Sequence, residues 1–167
     1  MTAQQQLQLN IMLTNAHNDY GKMLSAYAFF KVSSPDLCKD LVQQTFMKAW
    51  VYLIRGGKVE RMKVFLYKIL DNLIIDEYRK KKTVSLDYLM ETGYEPKPVD
   101  SKSLLNNLDA KIAIKQIESL PSIYREVVHM RYVENLTLQE ISLVTGKSKN
   151  TLAVRLNRGI KKLRVLK

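Results

Sequence analysis

Apolar residues recur at steps of three and four along nearly the whole chain, with little sustained alternation, so the pattern predicts helices and no sheet. Residues Asn10 to Val32 read as one helix or two. Ser34-Pro35-Asp36 then reads as a helix start, with Ser as N-cap, Pro in the first turn and an acid near the positive end of the dipole. The helix that follows carries Leu37, Leu41, Thr45, Ala49 and Leu53 on one stripe, widened by Phe46 and Trp50, and Gly56-Gly57 ends it. A further helix runs from about Val59 to Lys81, with Met62, Phe65, Leu66, Ile69, Leu73 and Ile74 as its apolar side. It finishes in Arg79-Lys80-Lys81-Lys82, a basic run suited to a helix C-terminus or to a polyanion.

The period is lost from Thr83 to Ser103, where Gly93, Pro96 and Pro98 punctuate a locally acidic stretch, and it resumes at Leu104. The expected architecture is all-α: a helical domain over 1–84, a flexible linker over 85–103 and a second helical domain over 104–167. The second domain ends in a helix-turn-helix. Thr137-Leu138-Gln139-Glu140 forms a capping box, in which the Thr hydroxyl accepts from the backbone three residues on and the Glu reaches back to the cap. Leu138, Ile141 and Val144 face inward, Gly146 allows the tight turn, and Ser148 caps the next helix. That helix buries Leu152, Leu156, Ile160 and Leu163, while its other faces are basic. Such a helix enters the major groove with its N-terminal residues nearest the base edges. Lys149, Asn150, Thr151, Val154 and Arg155 are therefore candidate base or near-base contacts, and Arg158, Lys161 and Lys162 candidate phosphate contacts. Gly159, in mid-helix, has no local rationale and costs about 1 kcal/mol relative to Ala.

Charge sharpens this picture. The chain of 167 residues has 27 Lys and Arg against 16 Asp and Glu, a net charge of +11, which favours a polyanionic partner. From Ser119 onward ten basic residues meet only three acidic ones, so the excess concentrates where the helix-turn-helix lies. Cys38 is the single cysteine, so no intrachain disulfide forms, and with His17 and His129 it makes no recognisable metal site. As a small residue near a helix start, Cys38 reads as packing in preference to a redox sensor. The start MTAQQQLQLN lacks the basic and apolar segments of a signal peptide, and no apolar stretch is long enough to span a bilayer. A cytoplasmic protein without membrane insertion, cofactor or metal is expected.

Three stretches, in order, resemble the extracytoplasmic-function sigma factors, bacterial specificity subunits of RNA polymerase. Asp40-Leu41-Val42-Gln43-Gln44-Thr45-Phe46-Met47-Lys48-Ala49-Trp50 resembles the family's core-polymerase-binding helix. The segment from Phe65 to Lys80 is similar to its promoter-melting and minus-ten-reading segment, and Leu120-Pro121 through Arg164 to its minus-thirty-five-reading domain. The resemblance implies that Asp40, Gln43, Gln44, Met47 and Lys48 dock on the coiled coil of the largest polymerase subunit. It implies that Asn72 contacts a flipped base of the non-template strand, with Lys63, Tyr67, Lys68, Arg79, Lys80 and Lys81 around it supplying further contacts or electrostatic attraction. Binding the displaced strand offsets the cost of opening DNA, without an ATP site. The partners implied are core RNA polymerase, promoter DNA and, as in many family members, an anti-sigma factor.

Some positions depart from the family's usual pattern. Phe65 stands where many relatives have Trp, and Asp71 where a basic or neutral residue is usual. Ala153 and Val154 stand where Lys and Ser are frequent, which removes one phosphate contact and offers an apolar surface to a thymine methyl. Two other classes of function compete with a sigma factor. A stand-alone helix-turn-helix regulator would use the N-terminal helices to sense a ligand or dimerise. A DNA-processing enzyme would need clustered carboxylates or an activated nucleophile. Asp71, Asp76 and Glu77 lie on a basic helix without a His or Cys partner, and ion pairing explains them better, so no enzymatic activity is expected.

Overall fold

The computed structural model describes residues 3–85 and 108–165, and among these seven α-helices and no strand. The predicted linker over 85–103 and the helix restart at Leu104 fall almost entirely outside the described residues, as do the side chains of Lys81 and Lys82. The helices divide into two compact units. The first holds α1 (Ala3–Val32), α2 (Pro35–Ile54) and α3 (Met62–Ser85), each packed on the other two. The second holds α4 (Leu108–Glu118), α5 (Ser122–Tyr132), α6 (Leu138–Thr145) and α7 (Lys149–Val165).

The first helix is one continuous element of 30 residues, about 45 Å at 1.5 Å per residue. Its C-terminal half supplies Leu24, Tyr27 and Ala28 to the core, whereas Leu7 and Ile11 near its start are exposed. Ser33, with φ of 56°, closes it in the left-handed region, and α2 begins two residues later with Pro35 in its first turn. Ser34 holds the N-cap position as the sequence predicts, but its side chain makes no capping hydrogen bond. The buried face of α2 is Cys38, Leu41, Val42, Thr45 and Ala49, with the Thr45 hydroxyl satisfied by the Leu41 carbonyl at 2.8 Å. Trp50 does not widen that face as expected: it is 40% exposed. Phe46 is half-buried, its ring 5.0 Å from that of His17.

The buried face of α3 is shifted from its predicted stripe, of which Met62, Phe65 and Ile69 are only half-buried. Leu66, Leu73 and Ile74 face the core as expected, and Val64, Tyr67, Leu70 and Asp71 join them, because α3 packs against both α1 and α2.

In the second unit, Ile117, Leu120, Val127, Val128, Met130, Leu136, Ile141, Val144, Leu152 and Leu156 form the core. The buried polar residues His129 and Glu134 face each other across 3.7 Å at the end of α5. Gly159 finds its explanation here. It is buried where α7 crosses α5, and a β-carbon there would lie 2.7 Å from Val128 Cγ2 and 3.3 Å from Tyr124 Cβ. Only hydrogen fits between the two helices, so the local cost of glycine is offset by close packing.

Candidate nucleic-acid interface

The helix-turn-helix is built from short-range bonds. Thr137 Oγ1 accepts from the Glu140 backbone N–H at 3.2 Å, and Glu140 Oε2 accepts from the Thr137 N–H at 2.8 Å, completing the capping box. Gly146 follows α6 with φ of 70°, a conformation that L side chains rarely adopt. The Lys147 carbonyl in the turn accepts from the Ser142 hydroxyl at 2.7 Å, and the Lys147 ammonium meets Glu126 of α5 at 3.4 Å. Ser148 Oγ then accepts from the Thr151 N–H at 3.2 Å, capping α7. These bonds fix where the N-terminus of α7 emerges, which is what a groove-reading helix requires.

α7 keeps two sharply different faces. Leu152, Leu156 and Gly159 are buried, and the opposite side presents Asn150, Val154, Arg158 and Lys161 to solvent. Lys149, Thr151 and Lys162 are also exposed, whereas Arg155 is half-buried at the margin. The Thr151 hydroxyl lies 2.9 Å from Ser148 Oγ, so it is already engaged in the cap. Asn157 was missed from the sequence: it is exposed, three residues beyond Val154 on the outward face, and the helical period locates it.

In the first unit, Asp40, Gln43, Gln44, Met47 and Lys48 fall at helical spacing on the side of α2 away from its buried face, and all are exposed, Met47 by 61%. They form one continuous polar stripe with a single apolar residue in it, and the 39% exposed Val51 extends it. The α3 candidates divide. Lys68, Asn72, Arg79 and Lys80 are exposed and Lys63 is half-buried. Tyr67 has no exposed surface; its ring packs edge-on against that of Tyr27, centroids 5.3 Å apart. This corrects the expectation for Tyr67, which is a core residue in this structure and has no surface to offer DNA.

The acidic residues of α3 have local partners. Asp76 meets Arg79 at 3.9 Å, and Glu77 meets Lys80 at 2.7 Å. The hydrogen bond and charge of Glu77 hold the Lys80 ammonium above its ordinary pKa. Both pairs sit in an open groove between α2 and α3, lined also by Gln44, Lys48 and Leu73. Exposed pairs of this kind contribute little to stability and are readily exchanged for phosphate. Asp71 belongs to neither pair; it is buried against α1. Among the described residues no group of His, Cys, Asp and Glu could hold a metal ion, and no helix is long and apolar enough to cross a membrane.

Two family models match the chain, and they match the two units in turn. Sigma-70 region 2 covers residues 17–84, and Sigma-70 region 4 covers residues 111–163. The chain is 28% identical over 154 residues to the RNA polymerase sigma factor SigV of Bacillus subtilis, covering 92% of this chain and 90% of that protein. It is 29% identical over 139 residues to the ECF RNA polymerase sigma factor SigW of the same organism, covering 75% and 73%. In fold it is similar to the sigma factor RpoE of Bartonella quintana, solved in complex with the anti-sigma factor NepR, with a TM-score of 0.67 and 23% identity over 96% of this chain and 94% of that one.

Proposed function

We propose, for a chain that belongs to the extracytoplasmic-function sigma factors, which surfaces carry each part of promoter-specific transcription initiation. As a sigma factor it works with two partners, core RNA polymerase and promoter DNA. The stand-alone regulator is not favoured, because the N-terminal helices match a sigma region and need no separate sensing role.

In our reading the domain over 1–84 docks on core polymerase through Asp40, Gln43, Gln44, Met47 and Lys48 of α2. Polar residues around one exposed methionine suit a partner helix of mixed character. The same domain reads the opened minus-ten strand through Asn72, with Lys63, Lys68, Arg79 and Lys80 supplying positive charge. The domain over 104–167, beyond a linker over 85–103, reads the minus-thirty-five duplex. There Asn150, Val154 and Arg155 face base edges, with Lys149 and Thr151 beside them, and Arg158, Lys161 and Lys162 face phosphates. The observation that supports this reading best is the division of α7, which sends every apolar core residue one way and Asn150, Val154, Arg158 and Lys161 the other.

Sigma factors are non-catalytic initiation factors, and this chain in our reading performs no chemistry of its own. Its place is the cytoplasm, where core polymerase works. An anti-sigma protein is a fitting third partner, since the RpoE relative was captured with one. The α2 stripe is the surface such a protein would have to cover to compete with core.

The assignments are tested by separating the two interactions. Gln44→Ala with Met47→Ala should weaken capture of purified core polymerase and leave upstream duplex binding unchanged. Arg155→Ala should relax base preference at the upstream element. Lys161→Ala should weaken all sequences evenly and reduce the slope of log affinity against log salt by about 1. Full core affinity in the α2 variant, or unchanged salt dependence in Lys161→Ala, would overturn the respective assignment.

A further inference from the structure

The buried carboxylate of Asp71 is used by nothing described so far. It is 3% exposed, and its Oδ1 accepts a hydrogen bond from the fully buried Tyr27 hydroxyl of α1 at 3.0 Å. The Lys31 ammonium lies 3.7 Å from the same oxygen and 5.5 Å from the centroid of the Tyr27 ring. Two further residues tie α3 to the same part of α1: Tyr67 packs its ring on Tyr27, and the Tyr78 hydroxyl donates to the Lys31 carbonyl. A charged group taken out of water is costly, and an apolar residue would pack the same place without that cost. What the polar bolt adds is direction, since hydrogen bonds fix distance and angle where apolar contacts allow sliding.

Each of these three anchors is followed at once by an exposed residue. Lys68 follows Tyr67, Asn72 follows Asp71, and Arg79 follows Tyr78. One residue is 100° around a helix, so fixing the anchors fixes the rotation of the exposed stripe. At a side-chain radius of about 6 Å, a rotation of roughly 10° moves a tip by about 1 Å. That is enough to spoil the paired hydrogen bonds by which an amide reads a base.

We propose that Tyr27, Asp71 and Lys31 form a positioning device, which sets the rotation of α3 and thereby aims Asn72 at a base of the displaced promoter strand. The proposal rests on the reading of α3 given above and assigns two core residues, Tyr27 and Asp71, and the half-buried Lys31 a role in sequence preference. None of the three touches DNA.

The test uses holoenzyme reconstituted from the full-length chain and purified core polymerase. The probe is forked DNA carrying a randomised single-stranded overhang, and the readout is base preference in the bound fraction. Asn72→Ala should erase preference at one overhang position. Tyr27→Phe, which loses only the hydroxyl, should lower preference at that same position by about threefold to tenfold, as expected when the hydrogen bond from Asn72 to the base is misaligned. Asp71→Asn keeps an acceptor for Tyr27 and should retain most of the preference, whereas Asp71→Leu should lose it. Core affinity should stay within twofold of wild type for Tyr27→Phe and Asp71→Asn, which separates aiming from general destabilisation. In an Asn72→Ala background, Tyr27→Phe should have no further effect on preference.

Unchanged preference in Tyr27→Phe overturns the proposal, as does a loss that persists in the Asn72→Ala background or one matched by equal loss of core affinity. If wild type shows no preference, or Asn72→Ala leaves it intact, the reading of α3 itself fails and the proposal falls with it.

Discussion

Replacing Gly159 by Ala sets two known effects against each other. Within a helix, alanine is favoured over glycine by about 1 kcal/mol. Here the added methyl would sit 2.7 Å from Val128 Cγ2, 3.3 Å from Tyr124 Cβ and 3.8 Å from the Tyr124 carbonyl oxygen. Val128 has no exposed surface, and its β-branched side chain is confined to one favoured rotamer in a helix. It cannot swing aside, so α7 must lift from α5 or the core must distort. Overpacking of this kind costs about 1–3 kcal/mol, and the absence of a yielding neighbour argues for the upper half of that range. The net effect of Gly159→Ala is then a loss of about 1–2 kcal/mol, where propensity alone gives a gain of about 1. In a unit of this size that lowers the melting temperature by roughly 5–15 °C. The assay is thermal unfolding of the full chain followed by circular dichroism. Trp50, the only tryptophan, gives a separate fluorescence signal from the other unit. Adding Val128→Ala removes the obstructing methyl, so the double variant should lose less than the two single losses together. A higher melting temperature for Gly159→Ala would refute the close-packing account of this glycine.

Other expectations are simpler. Thr137→Ala removes the hydroxyl half of the capping box and should cost about 1 kcal/mol in the second unit, read from the same melts; no shift would mean the box is not stabilising. Burial pushes the Cys38 thiol above its ordinary value of 9.0, against an opposing backbone hydrogen bond from Phe29. The protonated form is thus favoured in the folded protein, and the associated stability is full below 9.0 and declines as pH rises past it. Alkylation of Cys38 at mildly alkaline pH should accordingly be slower in native than in denatured protein; equal rates would contradict its burial.

What the sequence made legible was local. The capping box at Thr137, the left-handed turn at Gly146 and the Ser148 cap are bonds between residues three or four apart, and each leaves a signature in the chain. The outward faces of α2 and α7 follow from one buried stripe each, so the helical period sufficed. What stayed hidden depends on residues far along the chain. Tyr67 reads as a surface aromatic beside Lys68 until Tyr27, forty positions earlier, is seen to cover it. Asp71 reads as a departure beside a DNA contact, yet its partners are Tyr27 and Lys31. Both errors come from α3, which packs on two neighbours, so its period leaves the width of the buried face open. Trp50 shows the converse, since hydrophobic character alone did not bury it. Gly159 is unfavourable by every local measure and becomes intelligible only once α5 is laid against it.

As a sigma factor, this chain gives RNA polymerase its promoter choice. Run-off transcription with purified core polymerase and a promoter library tests it most directly. Transcripts are expected from a discrete subset of promoters that share two spaced elements, and none from those promoters with core alone. Tight binding of duplex DNA by the chain alone, with no initiation from any promoter when core is supplied, would contradict it.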